Sequence, residues 1–252
     1  MRYFFEVSYK GTRYAGFQVQ QNANTIQSEV EAVLKIFFKR PIALTGSSRT
    51  DAGVHALQNF FHGDSEDVIK PAVLYNLNAM LPPDIVLKNI FPVKEDAHCR
   101  FDAIAREYHY FIYYSKDPFK IDNSFFYPYS IDEEALTKSA REVLINTNFE
   151  AFSKKNAQVK THVCNIYKSE WVQKSNGLVY QIKANRFLRG MVRSLVATML
   201  RVGRGKMSVE DFASIFTFSG NERVDFASPP HALYLNSVTY PTSIFRPELQ
   251  ML

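Results

Sequence analysis

One acidic residue, Asp51, lies in a short polar segment whose residue types suit chemistry on a bound substrate. The segment Gly46–Ala56 reads GSSRTDAGVHA, with an arginine two positions before the acid and a glycine two positions after it. Thr and Asp side chains bond to neighbouring backbone amides, and Gly reaches dihedral angles that are closed to other residues. Such a loop can present one ionised carboxylate, a nucleophile or a base, beside a fixed cation. A polar turn between two strands is the alternative interpretation.

A hydrolase triad of Ser48, Asp51 and His55 is a second chemical interpretation of the same loop. The sequence Gly-x-Ser-x-Gly, which presents such a serine at the end of a strand, does not occur here. We therefore set the triad aside.

Histidine and cysteine spacing does not favour a metal site. His162 and Cys164 could place two ligands on one face of a strand, whereas the adjacent His98 and Cys99 would point to opposite faces of one. The sequence therefore predicts no bound metal. Two cysteines are also too few for a disulfide framework, and they suit a reducing compartment.

Length and composition indicate a folded protein, and its charge is consistent with a polyanionic partner. The chain has 252 residues, of which 46% are hydrophobic, enough for one large domain or two of ordinary size. The net charge of +5 and the pI near 9.0 are consistent with binding nucleic acid, although such a bias alone is weak support. No apolar run approaches the roughly 20 residues of a bilayer span, and the N-terminus lacks a signal-peptide core. The sequence thus predicts a cytoplasmic protein.

The elements around Asp51 form a mixed first half. Apolar periodicity and turn residues predict four strands, Arg2–Tyr9, Ile42–Thr45, Val54–Phe61 and Ile85–Phe91. They also predict two helices, Thr25–Phe38, with Thr25 as the N-cap, and Pro71–Ala79. The Asp51 loop is therefore expected between two strands.

A second mixed half follows from about residue 100. Its predicted strands are Tyr108–Tyr114, Val163–Trp171, Val179–Ala184 and Leu233–Tyr240. Its predicted helices are Asp132–Leu144, capped by Asp132, and Phe187–Val202. The pattern predicts an α+β fold of two related halves, 1–100 with the Asp51 loop and 101–252 with the Tyr108 strand and a basic helix.

Five segments of the chain carry a resemblance to one family. Arg49–His55 resembles the RTDAGVH signature of the TruA family of tRNA pseudouridine synthases. Four further segments resemble the family pattern, in the expected order. They are Tyr9–Gln18 before the signature, and Arg100–Tyr110, Asn185–Arg193 and Ala232–Leu235 after it. This chain departs from the family pattern at Lys10, where Asp is usual, at Phe17, where Trp is usual, and at Ala232, where Gly is usual.

The resemblance implies a fold, a reaction and a partner. It implies a ferredoxin-like pseudouridine synthase fold with a catalytic cleft between the two halves, in a homodimer that needs neither metal nor organic cofactor. The implied reaction breaks the nitrogen-linked glycosidic bond of a uridine, turns the uracil and rejoins it through carbon. The implied substrate is tRNA, modified at positions 38 to 40 of the anticodon stem-loop.

The resemblance also assigns roles to individual residues. Asp51 is the catalytic residue, with Arg49 beside it and Arg193 as the opposing cation; Tyr108 packs against the target base and Leu233 approaches the pocket. Core packing alone would explain Tyr108 and Leu233 equally well. Asp51 could attack the ribose, add to the uracil ring or abstract a sugar proton, and the sequence does not choose among these routes.

Two further arginines are candidates for phosphate contact. On the predicted helix, Arg186, Arg189 and Arg193 would form one stripe at spacings of three and four. A solvated cationic face is the alternative interpretation. With Arg193 assigned to the active site, Arg186 and Arg189 would contact the RNA backbone.

Two rival functions stay open at this point. One is a non-catalytic RNA-binding module of the same fold. The other is the same chemistry on another RNA, such as ribosomal RNA, which the departures at Lys10, Phe17 and Ala232 leave possible.

Overall fold

The chain forms two compact units, each of which combines strands with helices. The computed structural model describes residues 1–154, 160–217 and 224–246. The first unit contains Met1–Ile104 and Leu235–Leu252, and the second contains Ala105–Tyr234. The predicted α+β class is confirmed. The predicted halves assign residues 235–246 to the second half by their place in the chain, whereas in space these residues pack with the first unit.

Nine strands and five helices make up the described residues. The strands are β1 (Arg2–Tyr9), β2 (Thr45–Gly46), β3 (His55–Asp64), β4 (Ile85–Val93), β5 (Ala105–Tyr113), β6 (Phe125–Phe126), β7 (Ile166–Lys174), β8 (Gly177–Ala184) and β9 (Leu233–Thr239). The helices are α1 (Ile26–Phe38), α2 (Val73–Met80), α3 (Glu133–Ile145), α4 (Met191–Gly203) and α5 (Val209–Ser214). Across these described ranges, no helix has the length and apolar character that crossing a membrane requires.

The sheet of the first unit is built around β1. This strand pairs antiparallel with β3 on one side and with β4 on the other, β2 pairs with β3, and β9 lies beside β3. Residues Tyr3–Val7 of β1 are all buried, as expected for a central strand covered on both faces. Through its pairing with β3, which follows the Asp51 loop, β1 connects that loop to the core of the unit.

Helix α1 begins where the sequence predicts. The Thr25 hydroxyl accepts a hydrogen bond from the Ser28 N–H at 3.1 Å, and the Ser28 hydroxyl accepts one from the Thr25 N–H at 3.0 Å. This reciprocal pair satisfies two N–H groups that the first turn leaves without helical partners. The apolar face, with Ile26, Val30 and Leu34, is buried. The predicted cap and helix are confirmed.

The second unit holds a mixed sheet. Strand β8 pairs antiparallel with β5 and with β7, and β6 pairs parallel with β5. Helix α3 packs against β7 and α4. Its N-cap is Asp132, whose Oδ1 accepts a hydrogen bond from the Ala135 N–H at 3.0 Å, which confirms the predicted start.

The predicted strand Ile42–Thr45 is wrong for most of its length. Only Thr45 and Gly46 pair with β3. The Leu44 N–H donates to Glu31 Oε1 at 2.9 Å, and the Leu44 carbonyl accepts from Gln27 Nε2 at 2.8 Å. Side chains of α1 therefore satisfy the backbone groups that a strand partner would otherwise use.

The predicted start of the basic helix at Phe187 is also wrong, because α4 begins at Met191. Gly190 has φ 75° and ψ −3°, in the left-handed region, so the right-handed helix cannot extend through it. The Arg189 carbonyl accepts from the Lys154 N–H at 3.0 Å. Arg186 and Arg189 thus precede the helix, and the single stripe with Arg193 does not exist.

Candidate active site

Asp51 is the first residue of a tight turn in the first unit. Gly53 has φ 79°, a value that favours glycine, and the Val54 N–H donates to the Asp51 carbonyl at 3.2 Å. The turn leads directly into β3. Asp51 itself is half-buried, between the buried Thr50 and the exposed Ala52. One carboxylate is therefore presented by a short and constrained stretch of backbone.

A buried polar network holds the residues that precede Asp51. The Tyr9 hydroxyl, at the end of β1, lies 2.8 Å from Thr50 Oγ1. The Asn59 side-chain amide, on β3, donates to the Tyr9 hydroxyl at 3.2 Å and to the Ser48 carbonyl at 2.9 Å. Buried polar groups are costly unless they are hydrogen-bonded, so this network ties the loop to its two strands.

The segment after β1 packs against the same loop through its backbone. The Gly11 N–H donates to His55 Nδ1 at 2.9 Å, and the Phe17 N–H donates to the Thr50 carbonyl at 3.2 Å. Gly16 has φ +106°, and a Cβ added there would lie 2.9 Å from the Thr50 carbonyl oxygen. His55 thus uses a ring nitrogen to hold the backbone, a structural role that agrees with setting the hydrolase triad aside.

Phe17, one of the departures from the family pattern, belongs to the core. Its ring stacks on Phe61 with a centroid separation of 4.3 Å and an interplanar angle of 9°, and it stacks on Tyr9 at 5.6 Å. The side chain is buried. Lys10, the neighbouring departure, is exposed.

Arg49 is one of the residues that line a pocket in the first unit. The pocket has a volume of about 160 Å³, and its lining includes Arg49, Arg100 and Phe101. The Arg100 guanidinium lies 5.6 Å from the centre of the Phe101 ring, which is largely exposed. Within the described residues, the Arg49 side chain makes no ion pair. Cations beside an exposed aromatic ring suit contact with RNA phosphates and bases.

In the second unit, residues of the family-like segments Arg100–Tyr110 and Asn185–Arg193 contact each other. Tyr108, on β5, is 8% exposed, and its ring meets Phe187 nearly edge-on at 5.0 Å. Arg106 Nη1 donates to the Asn185 carbonyl at 3.0 Å. Asn185 in turn accepts from the Asn165 N–H at 2.9 Å. Tyr108 therefore lies in a packed setting that fixes its ring orientation.

Arg193, in the first turn of α4, is held by a reciprocal pair of bonds. Its Nε donates to the Ser228 carbonyl at 2.9 Å, and the Ser228 hydroxyl donates to the Arg193 carbonyl at 2.8 Å. The Tyr110 hydroxyl donates to the adjacent Pro229 carbonyl at 3.0 Å, and burial raises the pKa of Tyr110. Neither the type nor the spacing of Ser228 and Tyr110 signals this role in the sequence.

Arg186 and Arg189 lie on the irregular segment before α4. Arg189 is exposed and Arg186 is half-buried. Lys154 places a third cation near these two arginines. Its N–H donates to the Arg189 carbonyl, and its side chain lies beside Gly190. Burial raises the pKa of Cys164 to about 11, although the nearby positive charge of Arg186 acts to lower this pKa. The sequence analysis does not identify Lys154.

Leu233 is buried at the first position of β9, after the short helical turn Pro230–Ala232. The next residue, Tyr234, donates from its hydroxyl to the Asn123 carbonyl at 3.2 Å. Ala232 is fully buried, so a small residue is kept where the family pattern has glycine. Tyr108, Arg193 and Leu233 all belong to the second unit, whereas Asp51 and Arg49 belong to the first.

Comparison with known proteins identifies the relatives of this chain. A family model described as tRNA pseudouridine synthase matches residues 7–102 and 146–241. A protein named tRNA pseudouridine synthase A from Porphyromonas gingivalis is 40% identical over 97% of this chain and 99% of its own length. A protein of that name from Azobacteroides pseudotrichonymphae is 37% identical over 97% of this chain and 99% of its own length. Another, from Staphylococcus aureus, is 34% identical over 94% of this chain and 90% of its own length. The resemblance drawn from the sequence motifs is confirmed.

The buried network behind the Asp51 loop yields a stability prediction. Tyr9→Phe removes the hydroxyl that contacts Thr50 and Asn59, and leaves their buried polar atoms short of a partner. We expect the free energy of unfolding to fall by about 1–3 kcal/mol, and hydrogen exchange at the Val54 amide to accelerate. Denaturant unfolding and exchange mass spectrometry measure the two effects. Tyr167→Phe, at an exposed tyrosine on β7, is the control, and an equal loss in both variants would contradict the role of the network.

Proposed function

Because the chain belongs to the tRNA pseudouridine synthase family, we propose that it converts uridines of the tRNA anticodon stem-loop to pseudouridine, with Asp51 as the catalytic carboxylate. As a member of that family the chain is an isomerase. The observation that carries the proposal is the Asp51 loop, in which a half-buried carboxylate follows a backbone stretch anchored to β1 and β3.

The reaction explains why a fixed carboxylate is useful. The bond between uracil N1 and ribose C1′ breaks, the base turns, and a bond between C5 and C1′ forms. The proton on C5 leaves to solvent and N1 gains one, so atoms and electrons balance without an oxidant or a second substrate. An ionised carboxylate can act as the nucleophile or the base that this sequence requires. A loop that cannot drift keeps it within reach of the sugar and the base.

The other site residues have supporting parts in this proposal. Arg193 joins the catalytic set, and its bonds to Ser228 fix the direction of its guanidinium. Tyr108 offers an aromatic ring to the extruded base, with Leu233 lining the pocket. Arg49 is the third member of the proposed catalytic set, and it lines the same pocket as Arg100. Extruding a base costs a few kcal/mol, which stacking and cationic contacts offset.

Affinity for RNA comes from the cations outside the catalytic set. Arg186 and Arg189 retain the proposed role in phosphate contact even though they precede α4, because Arg189 is exposed and Lys154 lies beside it. Phosphate contacts supply most of the sequence-independent affinity in such complexes. The proposal includes tRNA as the partner, a homodimer, and action in the cytoplasm.

Modification of another RNA is the second candidate function. Its support is the three departures from the family pattern, and two of these lie in the core. Phe17 and Ala232 are buried, so these departures from the family pattern alter core packing and not an RNA-facing surface. Lys10 is exposed and is the one departure of the three that can change an RNA contact. The non-catalytic module is disfavoured because the proposed catalytic residues are all present.

The catalytic assignment of Asp51 predicts a separation of turnover from binding. Asp51→Asn keeps the shape of the side chain and removes its charge, so we expect isomerisation to be abolished and RNA affinity to stay within a few fold. Tritium release from RNA labelled at uracil C5 measures turnover, and filter binding measures affinity. Asp96→Asn, at an exposed carboxylate of the same unit, should leave both unchanged. Turnover at the wild-type rate in Asp51→Asn would refute the assignment.

The division of roles among the arginines predicts two opposite patterns. Arg186→Ala and Arg189→Ala should each weaken RNA binding and make the logarithmic salt slope shallower by roughly 0.7–0.9, with turnover at saturating RNA maintained. Arg193→Ala should lower turnover strongly with a modest loss of binding. Arg141→Ala, at an exposed position of α3, is the control for lost charge. Identical behaviour of the three test variants would disprove the division.

The substrate assignment predicts a preference among three RNAs. The purified protein is offered full-length tRNA, an isolated anticodon stem-loop and a ribosomal RNA fragment, and pseudouridine is mapped in each by mass spectrometry. We expect modification of uridines on the 3′ side of the anticodon stem-loop, and only in full-length tRNA. A dimer with one basic patch per subunit can bind the body of the tRNA as well as its anticodon arm. Efficient modification of the isolated stem-loop would refute the two-point grip. Activity on the ribosomal fragment alone would transfer the assignment to the rival substrate.

A further inference from the structure

Three potential metal ligands meet inside the first unit. One ligand atom each from His62, His98 and Cys99 lies within 4.8 Å of the other two. His62 is on β3, whereas His98 and Cys99 follow β4 on an irregular segment. The expectation that adjacent residues point to opposite faces holds for strands, and this segment is not one. The two neighbouring residues can therefore both face His62.

The separation of the His62 and Cys99 ligand atoms is close to that of two ligands in a tetrahedral ion site. His62 Nδ1 and Cys99 Sγ are 3.2 Å apart, and the centres of the two imidazole rings are 4.6 Å apart. With zinc bonds of about 2.0–2.1 Å to nitrogen and about 2.3 Å to sulfur, two ligands at a tetrahedral angle lie about 3.6 Å apart. Shifts of a few tenths of an ångström between His62 and Cys99 would admit the ion.

Both imidazoles present a lone pair in place of a proton at Nδ1. The Cys99 N–H donates to His62 Nδ1 at 3.3 Å, and the Arg100 N–H donates to His98 Nδ1 at 3.2 Å. A ring nitrogen that accepts a hydrogen bond carries a lone pair and no proton, which is the form of histidine that can bind a metal.

We propose that His62, His98 and Cys99 form a zinc site in the first unit, with a fourth position for water. Two nitrogens and one sulfur suit zinc better than magnesium or calcium, which take oxygen ligands. On binding, each imidazole gives the ion the lone pair that accepts a backbone N–H, and that hydrogen bond is broken. The Cys99 thiol gives its proton to solvent, and the sulfur bonds the ion. Within the described ranges, this is the group of histidine, cysteine and acidic side chains that meets the spacing of a metal site.

The site would brace the wall of the Arg49 pocket. The Cys99 sulfur lies 3.1 Å from the Thr45 carbonyl, to which the thiol donates while it keeps its proton. Thr45 is the first residue of β2, which leads into the Asp51 loop. His98 itself lines the pocket that contains Arg49. The Asp102 carboxylate accepts from the His98 N–H at 2.7 Å and holds the segment in place. The ion would join this segment to β3, so its role is structural and does not depend on the proposed function.

The test measures metal directly on the full-length protein. The purified chain is stripped with a chelator, loaded with zinc, freed of excess metal by gel filtration and analysed by elemental mass spectrometry. We expect one zinc per chain and a higher melting temperature in the loaded protein. Competition with a chromophoric chelator should show that His98→Ala and Cys99→Ala each weaken binding by at least about 100-fold, since a direct ligand matters at least as much as its outer partners.

The other histidine–cysteine pair of the chain supplies matched controls. His162→Ala and Cys164→Ala, in the second unit, should bind zinc as the wild type does. Cobalt(II) in place of zinc should give a thiolate-to-metal absorption band in wild type and Cys164→Ala, and none in Cys99→Ala. Because His98 is partly exposed, His98→Ala tests the site even if Cys99→Ala fails to fold. Wild-type zinc content no higher than that of His98→Ala, or equal losses in the control variants, would overturn the proposal.

Discussion

The position of Asp51 depends on the rule that buried polar groups must find partners. Ser48 and Thr50 are buried although they belong to a loop, and burial of a loop leaves backbone and hydroxyl groups without the partners that a helix or sheet provides. Tyr9 and Asn59 provide them, from the end of β1 and the middle of β3. Each unmade bond of this kind costs about 1–3 kcal/mol, so the loop is stable in one arrangement only. The antiparallel pairing of β1 with β3 therefore determines where the carboxylate stands.

Elements whose ends are set by neighbouring residues could be predicted from the sequence. Thr25 and Asp132 cap α1 and α3 with their own side chains, three residues from the amides they satisfy. β1 has the predicted bounds, because its aromatic and β-branched residues end at a glycine-containing turn. The motif around Asp51 could be read for the same reason, since its arginine, aspartate and glycine are close in sequence. The family it indicated is confirmed.

Features that depend on distant residues could not be predicted. The start of α4 is set by Gly190 and by a bond from Lys154 to the Arg189 carbonyl, and periodicity alone extends the helix past both. The strand expected at Ile42–Thr45 is lost because α1 side chains bind Leu44. The meeting of His62 with His98 and Cys99 arises from an irregular chain path, which residue spacing does not reveal. The same holds for Ser228, whose bonds to Arg193 join residues 35 positions apart.

The return of the C-terminal segment to the first unit constrains how the protein is made. The Val238 N–H donates to Gln58 Oε1 across 180 positions of chain, and the Tyr240 hydroxyl reaches the Cys99 carbonyl across 141. A ribosome adds about 5–20 residues per second, so β3 waits roughly ten seconds or more for β9 to emerge. Throughout that interval the part of the β3 edge that β9 later covers is open to pairing with other chains. A message cut short before Leu235 would therefore release a polypeptide whose defect lies in the unit that was synthesised first.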